Sequence, residues 1–236
     1  MRMLKDLYQS NNLTLKDAFD RVVAEIHIHK QKENFKSFIL AGCEPGVGNT
    51  TMAINLAISM ANSGWKTLLI DADMRKNKEH KRLNEEITVG LSDYLTDVSN
   101  YSDILYSTNY HGLDFIGSGS CSEASVVSML CSSSMKVLLE KAYQEYDYII
   151  IDMPSLASAV DASIIAPQVD AVVLVTKQGS GKIKYINDAK IKMDKAGANI
   201  LGIIVNKVSI YEYKRSIRNY DYFKKQKYLL NRKKGK

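Results

Sequence analysis

The 236-residue sequence predicts an α/β protein with a mostly parallel central β-sheet flanked by helices. Three observations carry that prediction. Short, largely continuous apolar runs recur along the chain, as strands covered on both faces require. Longer segments with helical spacing lie between them, giving a β-α-β alternation. Several of the apolar runs end in Gly, Asp or Asn, the residue types that bind ligands at the carboxyl ends of strands in open α/β sheets.

The candidate strands are Ser37–Leu40, Thr67–Asp71, Leu113–Ile116, Tyr148–Asp152, Ala171–Val175 and Leu201–Val205. Helical patterns fall at Thr51–Asn62, Ser134–Tyr146, an Ala/Ile-rich stretch after Asp161, and Lys182–Ala196. Near the N-terminus, Ala18, Phe19, Val22, Val23 and Ile26 mark one more amphipathic helix within a helical segment 1–35. Only Cys121–Ser134, rich in Ser, has loop composition. One domain over 1–207 and a tail over 208–236 are expected.

Composition excludes several classes. Hydrophobic content of 45% and charged content of 25% are ordinary globular values. No apolar run approaches the roughly 18 residues that span a bilayer, and MRMLKDLYQSNN has no apolar core of a secretory signal. Three cysteines, Cys43, Cys121 and Cys131, form no close pair or metal-ligand spacing, which suits a reducing cytoplasm. The formal charge is +6, but residues 211–236 alone carry +8 and the preceding residues −2. A uniformly basic nucleic-acid-binding surface is therefore not expected, and no specific nucleic acid is predicted.

The first strand runs into AGCEPGVGNTT and then an apolar helix, the context of a phosphate-binding loop. Against the pattern G-x-x-x-x-G-K-[ST], Gly48 fits the second glycine and Thr50 the hydroxyl that would hold Mg²⁺. The first glycine position falls on Cys43, with Gly42 one residue early, and the lysine position is Asn49. The second strand delivers Asp71 and Asp73, two apart, which point the same way if the strand persists and otherwise form a solvated turn. The fourth, YDYIIIDMP, ends in Asp152 as a Walker B strand does. The last leads into Asn206, either a purine-edge ligand or a strand-terminal turn residue.

Together, the loop, LLIDADMR (Leu68–Arg75) and IIIDMP (Ile149–Pro154) resemble the bacterial tyrosine kinases of capsule and exopolysaccharide synthesis. Those kinases are related in fold to the MinD/ParA P-loop ATPases, and the similarity runs over about Leu15–Lys207. The resemblance implies a protein-tyrosine kinase that converts ATP and a protein tyrosine into ADP and phosphotyrosine. It implies ATP and Mg²⁺, with Gly46, Val47, Gly48, Asn49, Thr50 and Thr51 at the phosphates and Asn206 at adenine. It places Thr50, Asp73 and Asp152 at the metal, Asp71 as acceptor of the tyrosine proton, and Arg75 where the family has an arginine after its paired acids. The tail residues Tyr211, Tyr213, Tyr220, Tyr222 and Tyr228 correspond to the cluster that such kinases phosphorylate in one another. It further implies a membrane adaptor that recruits and activates a cytoplasmic kinase at the inner face of the membrane, and a homo-oligomer.

This sequence departs from the family at Asn49, which keeps hydrogen bonding and loses the lysine charge. Val47 stands where the kinases usually carry an acid, and the stretch Asp17–Val23 lacks the E-x-x-R-x-x-R spacing of ring assembly. GSGSCSEASVV replaces a Pro-rich segment after the third strand. Two alternatives stay open: a nucleotide-binding pseudokinase or regulatory module, and a MinD/ParA-like ATPase whose basic tail meets lipid or DNA. Against the latter, Glu44 occupies the position of that group's extra lysine.

Overall fold

The computed structural model describes residues 4–5, 7, 9, 12–75, 89–119, 126–179 and 183–216. The chain divides into two units, Met1–Asn206 and Lys207–Lys236. Within the second, the described helix Ile210–Ser216 has no buried residue.

Among the described residues, the first unit holds an eight-stranded sheet. Its strands are β1 (Leu4–Lys5), β2 (Ser37–Gly42), β3 (Thr67–Asp71), β4 (Tyr106–Thr108), β5 (Leu113–Ile116), β6 (Tyr148–Met153), β7 (Ala171–Lys177) and β8 (Ile200–Asn206). Their order is β1-β4-β5-β3-β6-β2-β7-β8, and among the described pairings only β4–β5 is antiparallel. All six predicted strands are present, each within two residues of its expected ends. The two short strands β1 and β4 have too few residues to display a period.

Alternation along each central strand divides the core in two. Ile39, Leu68, Ile70, Ile149 and Ile151 face one way, toward α6 (Ser133–Glu145), α7 (Asp161–Ile165) and α8 (Ile183–Lys195). Phe38, Leu40, Leu69, Tyr148 and Ile150 face the other way, toward α1 (Leu13–Glu33) and α2 (Asn49–Asn62). Ten consecutive residues of α2, Met52–Ala61, are buried, so this helix is apolar nearly all round and fixed hard against the sheet.

The helix α1 starts where the Asn12 side chain accepts from Thr14 N at 2.9 Å and ends at Asn34, in the left-handed conformation at φ 52°. It is tied to the sheet by His27, which stacks on Trp65 at 4.5 Å and whose Nδ1 lies 2.8 Å from Tyr148 Oη. The Ser-rich stretch 121–134 differs from expectation. Val126–Leu130 is a helix, because Val126, Met129 and Leu130 share one face and are all buried there.

The start of β2 is held in register by one carboxylate. Asp170, just before β7, accepts from Lys36 N at 2.9 Å, Ser37 N at 2.8 Å and Ser37 Oγ at 2.8 Å. Asp170→Ala should therefore lower unfolding free energy by about 1.5–3 kcal/mol, the worth of hydrogen bonds to a charged acceptor. Urea denaturation of the two proteins with an unchanged m-value is the measurement that checks this.

Candidate active site

The loop between β2 and α2 folds back because of three glycines. A Cβ on Gly42 would lie 2.8 Å from Val47 Cγ2, so the glycine one residue early still does the work of the first loop glycine. Gly46 and Gly48 adopt φ +70° and +90°, which L side chains rarely take. Gly48 is also the N-cap of α2, so Asn49, Thr50 and Thr51 open the helix whose first N–H groups lack intrahelical partners.

These residues line a cavity of about 430 Å³ together with Asp71, Asp73 and Arg75. Asp71 and Asp152 are register partners on β3 and β6, and Leu40 on β2 pairs with Asp152 from the other side. The strand β3 ends at Asp71, so Asp73 lies beyond it. The turn is closed by Asp73 N donating to Asp71 Oδ1 at 3.1 Å, and both carboxylates still reach the cavity.

Asn49 does something its position alone does not disclose. Its Nδ2 donates to Leu40 O at 2.8 Å, Asp152 Oδ1 at 2.6 Å and Met153 O at 3.0 Å. An amide nitrogen has two hydrogens, so three acceptors consume it fully. Asn49 Oδ1 is buried and makes no hydrogen bond among the described residues. The side chain expected at the phosphates is thus turned onto the protein, and Asp152, 1% exposed, lies behind it.

Asn206 also serves the loop. Its Nδ2 donates to Val47 O at 2.8 Å and would sit 2.6 Å from a Cβ on Gly48. Asn206, the residue expected at a purine edge, thus braces the loop backbone.

Arg75 makes a two-pronged contact with Asp161 at the start of α7: Nε to Oδ2 at 2.7 Å and Nη2 to Oδ1 at 2.8 Å. Asp161 is fully buried. No site role is expected from the sequence for Asp161, nor for Ser155 and Ser158, which line the cavity and whose hydroxyls are 2.8 Å apart. An acid at the head of an otherwise small and apolar stretch was the available signal for Asp161. Tyr211 and Tyr213 lie in the second unit, on the helix Ile210–Ser216, and Tyr211 is exposed. Tyr220, Tyr222 and Tyr228 lie outside the described residues.

The donor set suits a hard divalent cation. Carboxylate and hydroxyl oxygens converge on the cavity from Asp71, Asp73 and Thr50. Among the described residues no group of three or more His, Cys, Asp or Glu could hold a metal alone.

Known proteins resemble this chain in sequence and fold. Residues 36–180 match the AAA domain family. The tyrosine-protein kinase CpsD of Streptococcus agalactiae is 37% identical over 179 residues, which cover 75% of this chain and 76% of CpsD. The chain belongs to the bacterial tyrosine kinases. The kinase domain of the Escherichia coli tyrosine kinase ETK superposes with a TM-score of 0.76 at 27% identity, covering 82% of this chain and 77% of that one. MinD from Pyrococcus horikoshii, complexed with Mg-ADP, superposes at 0.59 and 21% identity over 78% of this chain and 77% of its own, a likeness of fold. Among the described residues no helix is long and apolar enough to cross a membrane.

Cys43, inside the loop, is buried, and burial followed by the neighbouring Glu44 charge pushes its thiol up to about 11. The folded protein therefore keeps Cys43 protonated where the unfolded chain already ionises it. Its contribution to stability is intact below the unfolded thiol range and falls as pH rises toward 11. Iodoacetamide at pH 8 should modify exposed Cys131 and spare Cys43 in native protein, and modify both in urea, as read by peptide mass spectrometry.

Proposed function

We propose that this protein is an ATP-dependent protein-tyrosine kinase of capsule or exopolysaccharide synthesis that phosphorylates tyrosines in the tail of another copy. The observation that carries the reading is the convergence of the Gly46–Thr51 loop, Asp71 and Asp73 on one cavity. Family membership and the Mg-ADP bound to the MinD of similar fold support the choice of nucleotide.

Phosphoryl transfer requires positioning and charge neutralisation rather than covalent chemistry from the protein. Main-chain N–H groups of Gly46–Thr51 would cradle the phosphates, and Thr50, Asp73 and Asp152 would hold Mg²⁺ directly or through water. When bound there, Mg²⁺ would supply charge compensation at the terminal phosphates. Asp71 accepts the hydroxyl proton as the tyrosine oxygen bonds to the γ-phosphorus and the bond to ADP breaks. Asn206 braces the loop and borders the base. The acceptors are Tyr211, Tyr213, Tyr220, Tyr222 and Tyr228, and each phosphate adds about −1.5 to −2 to a strongly basic segment. Activation by a membrane adaptor at the inner face of the membrane completes the reading.

A second reading has its own support. Asn49 is neutral and its Nδ2 is spent on three protein acceptors, so position 49 brings neither charge nor a free donor to the transferring phosphoryl group. A pseudokinase that binds nucleotide and regulates by binding fits that feature.

The two separate in one experiment. The protein and Asn49→Lys are incubated with Mg-ATP, with and without the cytoplasmic segment of an adaptor, and phosphotyrosine is mapped by mass spectrometry. The kinase reading expects tail phosphate in both, faster by about 10²–10³ in Asn49→Lys, and none after EDTA. Phosphate only in Asn49→Lys establishes the pseudokinase. Phosphate in neither, with salt-sensitive binding to vesicles or DNA, rejects both in favour of a MinD/ParA-like ATPase.

A further inference from the structure

The cavity presents Glu44, Asp71 and Asp73 to any occupant, and Arg75 is its one cationic side chain among the described residues. A polyphosphate entering it meets more negative than positive charge. Position 49, which carries the compensating lysine in the family's loop, is neutral and faces the protein. We infer that Arg75, held in place by Asp161, supplies the phosphate-directed charge that position 49 lacks, with Asp161 as its positioning residue. The inference rests on the nucleotide-site reading and assigns the source of its counter-charge.

The geometry supports positioning. A guanidinium is a rigid plane, and two parallel N–H···O contacts to one carboxylate fix its orientation as a single contact does not. Asp161 is fully buried, whereas the Arg75 side chain retains 30% exposure, so the carboxylate is the anchor and the guanidinium the exposed end. A buried, unpaired carboxylate is costly, which makes the pair hard to open. Arg75 follows Asp73 by two residues in the segment after β3, so the cation and the proposed metal ligand come from one short stretch of chain.

Coulomb attraction and positioning predict opposite signs for one substitution. If Asp161 only offsets the Arg75 charge, Asp161→Asn makes the cavity more positive and tightens nucleotide binding. If Asp161 aims the guanidinium, the same change lets Arg75 swing toward solvent and weakens binding.

The test uses equilibrium fluorescence titration of the full chain with Mg²⁺ and N-methylanthraniloyl-labelled ATP or AMP. Arg75→Gln and Asp161→Asn should each weaken ATP binding by about tenfold to a hundredfold while leaving AMP within about threefold, the span of one lost charged hydrogen-bonding group. The double variant should be no weaker than the worse single one, because the two act as a unit. Asn49→Lys placed in the Arg75→Gln background should restore ATP affinity. Tighter ATP binding in Asp161→Asn, additive losses, or equal losses for ATP and AMP would overturn the inference. Should Asp161→Asn fail to melt cooperatively, Arg75→Lys replaces it: the charge stays and the fork goes, so parent-like ATP affinity also refutes positioning. Parent protein that binds no labelled ATP with Mg²⁺ rejects the nucleotide reading and this inference together. Parent-like behaviour of every variant rejects this inference alone.

Discussion

The site depends on the register of three parallel strands. Leu40, Asp152 and Asp71 lie in one row across β2, β6 and β3, on the sheet face that α2 covers. A slip of one residue in any of them would send its row member to the opposite face. The slip is prevented by the apolar residues preceding each site residue. Leu69 and Ile150 fill the core beneath α2, while Ile70 and Ile151 fill the core on the other side. A register shift would exchange these sets and bury Asp71 and Asp152 among aliphatic groups without partners. The same burial that stabilises the sheet therefore places the carboxylates.

The loop is bound into that row by side chains. Asn49 reaches from the first residue of α2 to Leu40, Asp152 and Met153, touching two strands at once. Asn206, at the end of β8, reaches Val47 from the far side. The backbone of the loop is thus supported by amides at both ends, and the glycines between them allow the close approach.

Much of this was legible in the sequence, for a physical reason. Strands buried on both faces must be apolar throughout, so runs such as Tyr148–Met153 stand out without an alignment, and the acid that ends one is conspicuous. Glycines that must take positive φ leave an equally plain mark. What stayed hidden were properties of contact between distant segments. That Arg75 meets Asp161 and that the Asn49 amide turns inward depend on side-chain packing across the sheet, and no local pattern encodes them. The helix Val126–Leu130 was obscured because its apolar face is only one turn long and its neighbours are serines. Asn206 was flagged as a polar strand end, yet its partner lies 159 residues away.

Position 49 has consequences beyond its own contacts. A lysine about 4 Å from a phosphate oxygen, at an effective dielectric of about 20, contributes about 4 kcal/mol of attraction, and an asparagine contributes none of it. Main-chain N–H groups can recover part of this for a bound ground state, since each charged hydrogen bond is worth about 1.5–3 kcal/mol. They cannot recover it selectively for a transition state, because their partial charges are fixed and already used in binding. A chain with asparagine here must draw its remaining compensation from a divalent cation and from other side chains at the cavity. The fork that anchors Arg75 to Asp161 is one such source. Positions 49 and 75, remote in sequence but both bordering the cavity, therefore have to be read together: what one lacks in charge, the other supplies.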